Sequence, residues 1–335
     1  MQEKLSTFCG FDESSKTLTG LYCKTPISSQ ELGEWFSSVS FEALPPDQTC
    51  MAAIAGAAVQ FADVPDAEIP RLRGIIKYVH TLNSGMFSGV CALGAACNRA
   101  QIRVLLMEDT ALYMRYPDMP QRHLWQTCIG VRMDQYKKVL DLAQENGFEV
   151  EHFPNAAVAR QGVVRQIVIK PVEDNSFLWS GAEELKKGNA VFLCPEPAAI
   201  LIETCQRTFR ALLTPKPRIS VVRWCMDMKI LSDCLSDSDW IRGKAIAERE
   251  HAHCHMGLLF AIYHAVTGLS LKAANQFGTT QDARRTFRLV QAYVVCPKNG
   301  HKLRRTYLLY RLRRPDSIIA TARMLLRLAF RKFKG

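Results

Sequence analysis

Residues 100–232 alternate between short apolar runs and amphipathic segments, and this alternation constrains the fold most strongly. The strand candidates are "IRVLLME", "ALYMRY", "WQTCIGV", "FEVEHFP", "VRQIVIKP", "NAVFLC" and "RISVVRW". Helices are predicted in "MDQYKKVLDLAQENG", which Gly147 ends, and in "AAILIETCQRTFRALL", which follows Pro195 and Pro197. Because helices lie between apolar strands, we expect an α/β or α+β fold with a mixed sheet, flanking helices and some parallel strand pairs.

The segments on either side of this region read as mainly helical. Residues 1–45 indicate one or two short strands and then a helix, "SSQELGEWFSSV", capped by Ser28 or Ser29. "LPPDQT" opens a helix to about Phe61, and further helices are predicted over 68–83 and 86–97. From Asp237 the pattern is helical again as far as Gly268. With joints at 214–218 and 234–240, we expect a body over 1–235, whose role the sequence does not disclose, and a C-terminal module over 236–335.

Composition is that of a globular protein: 48% of the 335 residues are hydrophobic and 22% are charged. The N-terminus lacks the basic start and apolar stretch of a secretory signal, and the longest apolar runs are too short to cross a bilayer. Twelve cysteines are scattered without a CxxC pair, as expected for buried thiols and not for a disulfide framework. We therefore expect an intracellular protein, cytoplasmic or nuclear, that is not secreted and has no transmembrane segment.

Positive charge is concentrated at the C-terminal end. The chain has 43 Lys and Arg against 32 Asp and Glu, and fifteen of those bases but only one acid, Asp316, lie between Arg284 and Gly335. The first 283 residues therefore hold 28 bases and 31 acids, a net charge of about −3. This distribution predicts an anionic partner for the C-terminal module: nucleic acid, a membrane surface or an acidic protein.

Residues 269–290 have the pattern of two short helices joined by a turn at Gly278, with Thr279 or Thr280 capping the second helix. Spacing places Leu271, Ala274 and Phe277 on the inner side of the first helix. In the second helix Ala283, Phe287 and Val290 face inward. The outward face of that helix carries Gln281, Arg284, Arg285 and Arg288.

A basic β-hairpin is predicted next, with its turn at "PKNG" and a return strand in "HKLRRTYLLYRLRR". Its basic residues include Lys302, Arg304, Arg305 and Arg311. The order of helices and hairpin over residues 256–312 resembles the winged helix-turn-helix family. That resemblance implies DNA or RNA binding through the second helix and the hairpin. The alternatives are that these arginines form a solvated structural face, or that they contact lipid or protein.

Residues 316–334 predict an amphipathic helix with one basic stripe, formed by Arg323, Arg327, Arg331 and Lys334. Its apolar side can dock on the rest of the protein, which would extend the basic surface. Alternatively, the helix can lie on an anionic membrane.

Metal-ligand spacing occurs in "EREHAHCH", where Glu248, His251 and His255 would share one face of a helix. The segment has no HExxH motif and no second Glu-x-x-His. A polar helix face is the alternative to a Zn or Fe site, and no cofactor is predicted. Cys296 and His301 also have ligand-like spacing, without a nearby pair to complete a zinc site.

The leading hypothesis is a protein that binds DNA or RNA through its basic C-terminal module. A rival arises because "LKKGNAVFLCPEPAA" resembles the strand and Pro-Glu segment of lipid acyltransferases. This rival hypothesis is a peripheral acyl- or other transferase that the terminal helix holds on anionic lipid. The HxxxxD pair that lipid acyltransferases use as general base is missing from the sequence. A non-catalytic assembly protein with an acidic partner is a third hypothesis. The absence of a GxxxxGK or GxGxxG motif argues against standard nucleotide-driven chemistry. The sequence leaves open whether the chain is an enzyme, and it does not predict an oligomeric state.

Overall fold

The computed structural model of the chain describes residues 13–115, 123–124, 126–162, 165–212, 221–250, 252–271 and 277. Within these residues, seven strands form one sheet in the order β3-β4-β5-β2-β1-β7-β6. The strands are β1 (Leu105–Leu106), β2 (Thr127–Arg132), β3 (Glu149–Phe153), β4 (Ala156–Gln161), β5 (Arg165–Val172), β6 (Glu183–Lys187) and β7 (Ala190–Cys194).

The sheet is mixed, as predicted. β2 pairs in parallel with β5 and β1 pairs in parallel with β7, whereas the other neighbouring strands are antiparallel. The parallel pairs require crossovers, and a long segment containing helices separates the two strands of each pair. The prediction of a mixed sheet with flanking helices is therefore confirmed.

Ten α-helices surround the sheet in the described part of the chain. They are α1 (Glu13–Cys23), α2 (Ser29–Ser38), α3 (Pro46–Ala58), α4 (Ile69–Arg99), α5 (Glu108–Tyr113), α6 (Tyr136–Glu145), α7 (Pro197–Leu212), α8 (Val221–Cys234), α9 (Asp237–Arg249) and α10 (His253–Thr267). None of the helices in these residues is long and apolar enough to cross a bilayer.

Helix α4 covers one face of the sheet at very short range. A Cβ placed on Gly94 would lie 2.4 Å from the ring of Phe192, and one on Gly89 would lie 3.3 Å from Cβ of Arg165. Because side chains alternate along a strand, Ile167 and Ile169 share the face of Arg165, and both are fully buried. The even-numbered residues of β5, which include Lys170, therefore project from the opposite face.

The remaining helices pack on one another. Helix α1 contacts α3, α8 and α10, and α7 contacts α5, α8, α9 and α10. Trp224 of α8 and Trp240 of α9 are both 1% exposed and form the centre of this layer. Because α9 and α10 lie against α7, helices on both sides of residue 235 are in contact, and the predicted domain boundary stays a prediction.

Predicted helix starts and stops are confirmed at several positions. The Ser28 side chain accepts a hydrogen bond from the Glu31 N–H at 3.3 Å and caps α2. Helix α3 begins at Pro46, as the "LPPDQT" segment predicts. Glycines in the left-handed region follow α6 and α10, at Gly147 (φ 79°) and Gly268 (φ 73°).

Four sequence predictions are wrong. Residues 13–23 form α1 and not a strand, and "ALYMRY" contributes to α5. The predicted strand "RISVVRW" falls outside the described residues in its first half, but its end begins helix α8. The helices predicted over 68–83 and 86–97 are one helix, α4. The helical pattern predicted from Asp237 to Gly268 is present and comprises two helices, because α9 ends at Arg249 and α10 begins at His253.

Strands β4 and β6 were not among the predicted strands. Strand β4 is short and rich in alanine, and β6 reads "EELKK", with charges on both faces. A charged strand is typical of a sheet edge, where it opposes pairing with another chain. Its position at the end of the strand order explains why it lacks an apolar pattern.

Candidate functional site

Six charged side chains from separate segments meet beside the sheet. We call this group the charge cluster, and it comprises Glu108, Asp109, Lys170, Glu203, Arg207 and Arg223. Three of these residues are acids and three are bases. The cluster joins helix α5, strand β5, helix α7 and helix α8.

Glu108 and Asp109 are positioned by a tight turn between β1 and α5. The Met107 N–H donates to the Cys128 carbonyl at 3.0 Å and continues the β1–β2 ladder by one residue. Glu108 then adopts φ 51°, in the left-handed region. That conformation costs a residue with a side chain about 1–3 kcal/mol and persists where neighbouring contacts fix it. One such contact is the Glu108 N–H, which donates to Oε2 of Glu203 at 3.1 Å.

The Glu108 carboxylate is approached by two bases and an amide. Nζ of Lys170 lies 2.5 Å from Oε1, and Nη1 of Arg207 lies 3.6 Å from Oε2. Nε2 of Gln126 donates to Oε2 at 3.5 Å. Burial alone would lower the pKa of Lys170, but Cys128 and Glu108 beside it raise that pKa above its ordinary value.

Asp109 connects α5 to the two helices that follow the sheet. Nη1 of Arg207 lies 2.7 Å from Oδ1 of Asp109, and Nη2 of Arg223 donates to Oδ2. The three side chains are 7%, 20% and 13% exposed, so water screens these pairs only weakly. Removing one partner would weaken the compensation of the charges that stay buried.

Glu203 is the cluster's group that titrates near neutral pH. Burial raises the pKa of Glu203 to about 7, and the charge of Glu108 adds to the rise. Arg207, the Glu108 N–H and Lys170 oppose it. A buried carboxyl with this pKa can take up and release a proton near pH 7, which is the property required of a general acid or base. The cluster thus combines a proton-exchanging carboxyl with three cations.

The cluster lies on the sheet face opposite α4. Lys170 pairs across β2 and β5 with Gly130, where a Cβ would come within 2.5 Å of the Met107 sulfur. The Lys170 side chain is 32% exposed, so solvent reaches this edge of the cluster. Cys128, on the same face, is completely buried, and burial raises its thiol pKa well above the ordinary value. Cys128 is therefore a neutral packing residue.

The Pro-Glu segment that suggested a transferase is a strand-to-helix junction. It follows the β6–β7 hairpin, and Glu196 lies between β7 and α7. The Glu196 carboxylate is 7% exposed and pairs with Arg242 of α9. Nη2 of Arg115 donates to the Pro195 carbonyl at 2.9 Å. These contacts give the segment a structural role in attaching α9 to the sheet.

The predicted metal ligands are only partly described. Glu248 is exposed near the end of α9, His251 lies outside the described residues, and nothing is described of the His255 side chain in α10. Since the two helices are separate, Glu248 and His255 do not share one helical face. Among the described residues, no group of three or more His, Cys, Asp or Glu side chains could hold a metal ion. A Zn or Fe site at these positions stays a prediction.

The predicted nucleic-acid and anionic-surface residues lie outside the described residues. They are Gln281, Arg284, Arg285, Arg288, Lys302, Arg304, Arg305, Arg311, Arg323, Arg327, Arg331 and Lys334. Cys296 and His301 lie outside them as well. Two residues at the start of the predicted helix-turn-helix are described: Leu271 and Phe277, predicted to face inward, are 6% and 1% exposed. Phe277 packs edge-on against Trp240 and Phe260.

No protein-family model matches the chain, and no curated protein matches it either. Among solved structures, the chain is similar to that of the antibiotic-resistance factor ANT(2'')-Ia, determined in solution. The identity is 14%, the match covers 52% of this chain and 97% of that chain, and the TM-score is 0.35. A similarity at this TM-score supports no conclusion about the chemistry of the present protein.

Proposed function

We propose that this chain is a nucleic-acid-binding protein whose basic C-terminal residues contact the phosphates of DNA or RNA. The observation that carries the proposal is the separation of charge along the chain. Fifteen bases and one acid lie in residues 284–335, whereas the preceding 283 residues have a net charge of about −3. A segment with that excess cannot neutralise itself and attracts a polyanion.

Ion pairs in the body support the proposal. Basic side chains at its surface lie against acids of the body itself: Lys24 with Glu31, Arg71 with Glu42, Arg132 with Asp174, Arg160 with Glu151, and Lys229 with Asp233. Cations that are already paired release few counterions on meeting a polyanion. The C-terminal bases therefore supply the larger share of the attraction.

The start of the basic segment is fixed to the body by an aromatic cluster. Phe277 is buried, with its ring centre 5.8 Å from that of Trp240 and 5.5 Å from that of Phe260. Gly278, the predicted turn residue, follows directly, and Arg284 is seven residues beyond Phe277. An anchored start limits the volume that the following arginines can sample, which lowers the entropy lost on binding.

Within this proposal, the basic residues have two roles. Arginines of the predicted second helix and hairpin contact phosphates and supply most of the affinity. Gln281, Arg284 and Arg288 are the residues proposed to reach base edges, because Gln and Arg form bidentate hydrogen bonds with adenine and guanine. Arg323, Arg327, Arg331 and Lys334 extend the basic surface.

The proposal is tested by comparing nucleic acid with anionic lipid as the partner of the full chain. Fluorescence anisotropy measures binding to labelled duplex DNA and single-stranded RNA, and sedimentation measures binding to vesicles that contain phosphatidylserine. The Arg284→Ala/Arg288→Ala variant should weaken nucleic-acid binding. A Lys137→Ala/Lys138→Ala variant makes the same change of net charge on the exposed side of α6 and should leave binding nearly unchanged.

Two outcomes would contradict the proposal. Binding to vesicles without binding to nucleic acid would favour a membrane-peripheral protein held by residues 316–334. Equal losses from both double variants would mean that net charge, and not the C-terminal segment, determines binding. The transferase alternative has no support among the described residues, where Glu196 is part of an ion pair.

A further inference from the structure

Glu203 and Arg207 connect helix α7 with the turn that begins α5. The two residues are four apart in α7, so they share one face of that helix, one turn from each other. Glu203 is 7% exposed, and its Oε2 accepts the Glu108 N–H at 3.1 Å. Arg207 binds the side chains that follow the same turn. The contact between the two helices therefore depends on two neighbouring side chains of α7, one acidic and one basic.

Three carboxyl groups attract the Arg207 guanidinium. Its Nη1 lies 2.7 Å from Oδ1 of Asp109 and 3.6 Å from Oε2 of Glu108, so both acids of α5 hold it in the structure. Glu203 is the third, and it attracts Arg207 only when it is ionised. A glutamate four residues before a base is the favourable order for an ion pair within a helix. Arg207 is only 20% exposed, so water screens this competition weakly.

The proton on Glu203 decides between these partners. Burial raises the pKa of Glu203 to about 7, and the negative charge of Glu108 adds to the rise. Below that pH the Glu203 carboxyl is mostly neutral, and the acids of α5 are the stronger partners of Arg207. Above it, a buried carboxylate lies next to Glu108, and a buried charge is costly unless it is paired. Pairing with Arg207 on its own helix offsets that cost.

Bases from the other elements around Glu203 keep their own acids in either state, which limits the change to Arg207. They are Lys170 of β5, which pairs with Glu108, Arg223 of α8, which pairs with Asp109, and Arg242 of α9, which pairs with Glu196 just before α7. Two further titratable groups on the packed elements, Cys128 of β2 and Tyr263 of α10, are neutral because burial raises both pKa values. Both acids of α5 therefore stay paired when Arg207 leaves them.

We propose that Glu203 and Arg207 form a proton-operated latch between α7 and α5. While Glu203 holds its proton, Arg207 binds the acids of α5 and the latch is closed. When Glu203 loses the proton, Arg207 turns to it within α7, and fewer contacts fix the left-handed backbone of Glu108 at the start of α5. The latch goes beyond the nucleic-acid-binding proposal and does not depend on it, because it uses residues of the body alone.

Hydrogen exchange of the full chain, measured by mass spectrometry between about pH 6 and pH 8, tests the latch. After correction for the intrinsic exchange rate at each pH, residues 105–115 should lose protection about tenfold, because opening that ionises Glu203 becomes about tenfold more favourable over this interval. Helix α2, which contacts α1 and α3, should keep its protection. Unchanged protection of residues 105–115, or an equal loss in α2, would overturn the proposal, since an equal loss means that Glu203 acts on the whole fold.

Variants test the exchange of partners itself. Glu203→Gln carries no charge at any pH, so residues 105–115 should be as protected at pH 8 as at pH 6, whereas Glu145→Gln on the exposed side of α6 should keep the tenfold change. A double-mutant cycle of Asp109→Asn and Arg207→Gln, measured by urea unfolding, should give a coupling at pH 6 that is largely lost at pH 8. A tenfold change that persists in Glu203→Gln, or an equal coupling at both pH values, would overturn the proposal.

Discussion

Replacing Asp109 with asparagine removes the negative charge that two arginines share. The Asp109 side chain is 7% exposed, Nη1 of Arg207 lies 2.7 Å from it, and Arg223 donates to its other oxygen. Asparagine has nearly the same shape, so packing stays intact while both guanidinium groups lose the negative charge of Asp109. The variant therefore isolates the electrostatic contribution of the charge cluster to the free energy of unfolding.

The expected loss is large compared with that of a surface pair. Removing one partner of a buried ion pair costs about 3–5 kcal/mol, and asparagine, which still accepts a hydrogen bond, should fall at the lower end, about 3 kcal/mol. The control is Glu151→Gln, which breaks the pair with Arg160. Those side chains are 52% and 45% exposed. Exposed pairs contribute about 0–1 kcal/mol, so the control should change stability by no more than that.

Urea unfolding of both variants measures the difference. Tryptophan fluorescence reports on Trp224, which is adjacent to Arg223 and buried in α8, and far-ultraviolet circular dichroism reports on the helices together. Coincident transitions would justify a single free energy of unfolding. If Asp109→Asn lost no more stability than Glu151→Gln, the argument that these pairs hold α5, α7 and α8 together would be wrong.

Two further predictions concern the same body. The pKa of Glu203 is raised from 4.5 to about 7 in the folded protein, so the group favours folding when protonated, and stability should fall by up to about 3 kcal/mol as pH rises from about 4.5 to 7. Glu203→Gln should remove that part of the pH dependence in urea titrations, and an unchanged pH profile would contradict the assignment. On α4, Gly94→Ala would press against the Phe192 ring and should cost about 1–3 kcal/mol, whereas Gly74→Ala, with open space around it, should stabilise by about 0.5–1 kcal/mol. A thermal melt showing that Gly94→Ala is no less stable than the unsubstituted chain would refute the close approach of α4 to the sheet.

Much of the sheet could be predicted because its central strands are apolar runs bounded by turn residues. Strands β2, β5 and β7 have that pattern, and Gly147 marks the end of α6. The end of "RISVVRW" was predicted as a strand because β-branched residues favour strands locally. In the fold, Trp224 of that segment packs edge-on against Tyr263 of α10, so tertiary contacts override the local preference and form helix α8.

The division predicted within α4 fails for a similar reason. Asn83, Ser84 and Gly85 read as a break between two helices. Asn83 is completely buried, and its Oδ1 accepts a hydrogen bond from the Leu124 N–H at 2.9 Å. Its role is a tertiary hydrogen bond, and a single sequence does not distinguish a polar residue used in that way from one that ends a helix.

The charge cluster was missed because its members lie far apart along the chain. Glu203 and Arg207 have the spacing of a helical ion pair, which predicts a local contact. The structure instead pairs Arg207 with Glu108 and Asp109, almost 100 residues earlier. Glu108 and Asp109 follow directly after the apolar run "VLLM", and this position was the sequence feature that could have indicated the cluster. Polar residues at the end of a strand are often functional.

The salt dependence of nucleic-acid binding by the full chain tests the central claim most directly. Isotherms for duplex DNA and single-stranded RNA at several salt concentrations give a slope that counts phosphate contacts. Arg284→Ala and Arg288→Ala should each lower that slope by roughly one unit, and loss of a base contact should cost on the order of 1–3 kcal/mol at one site only, with unchanged thermal melts. Unchanged binding together with lost stability would mean that these arginines are structural and that the C-terminal segment does not bind nucleic acid.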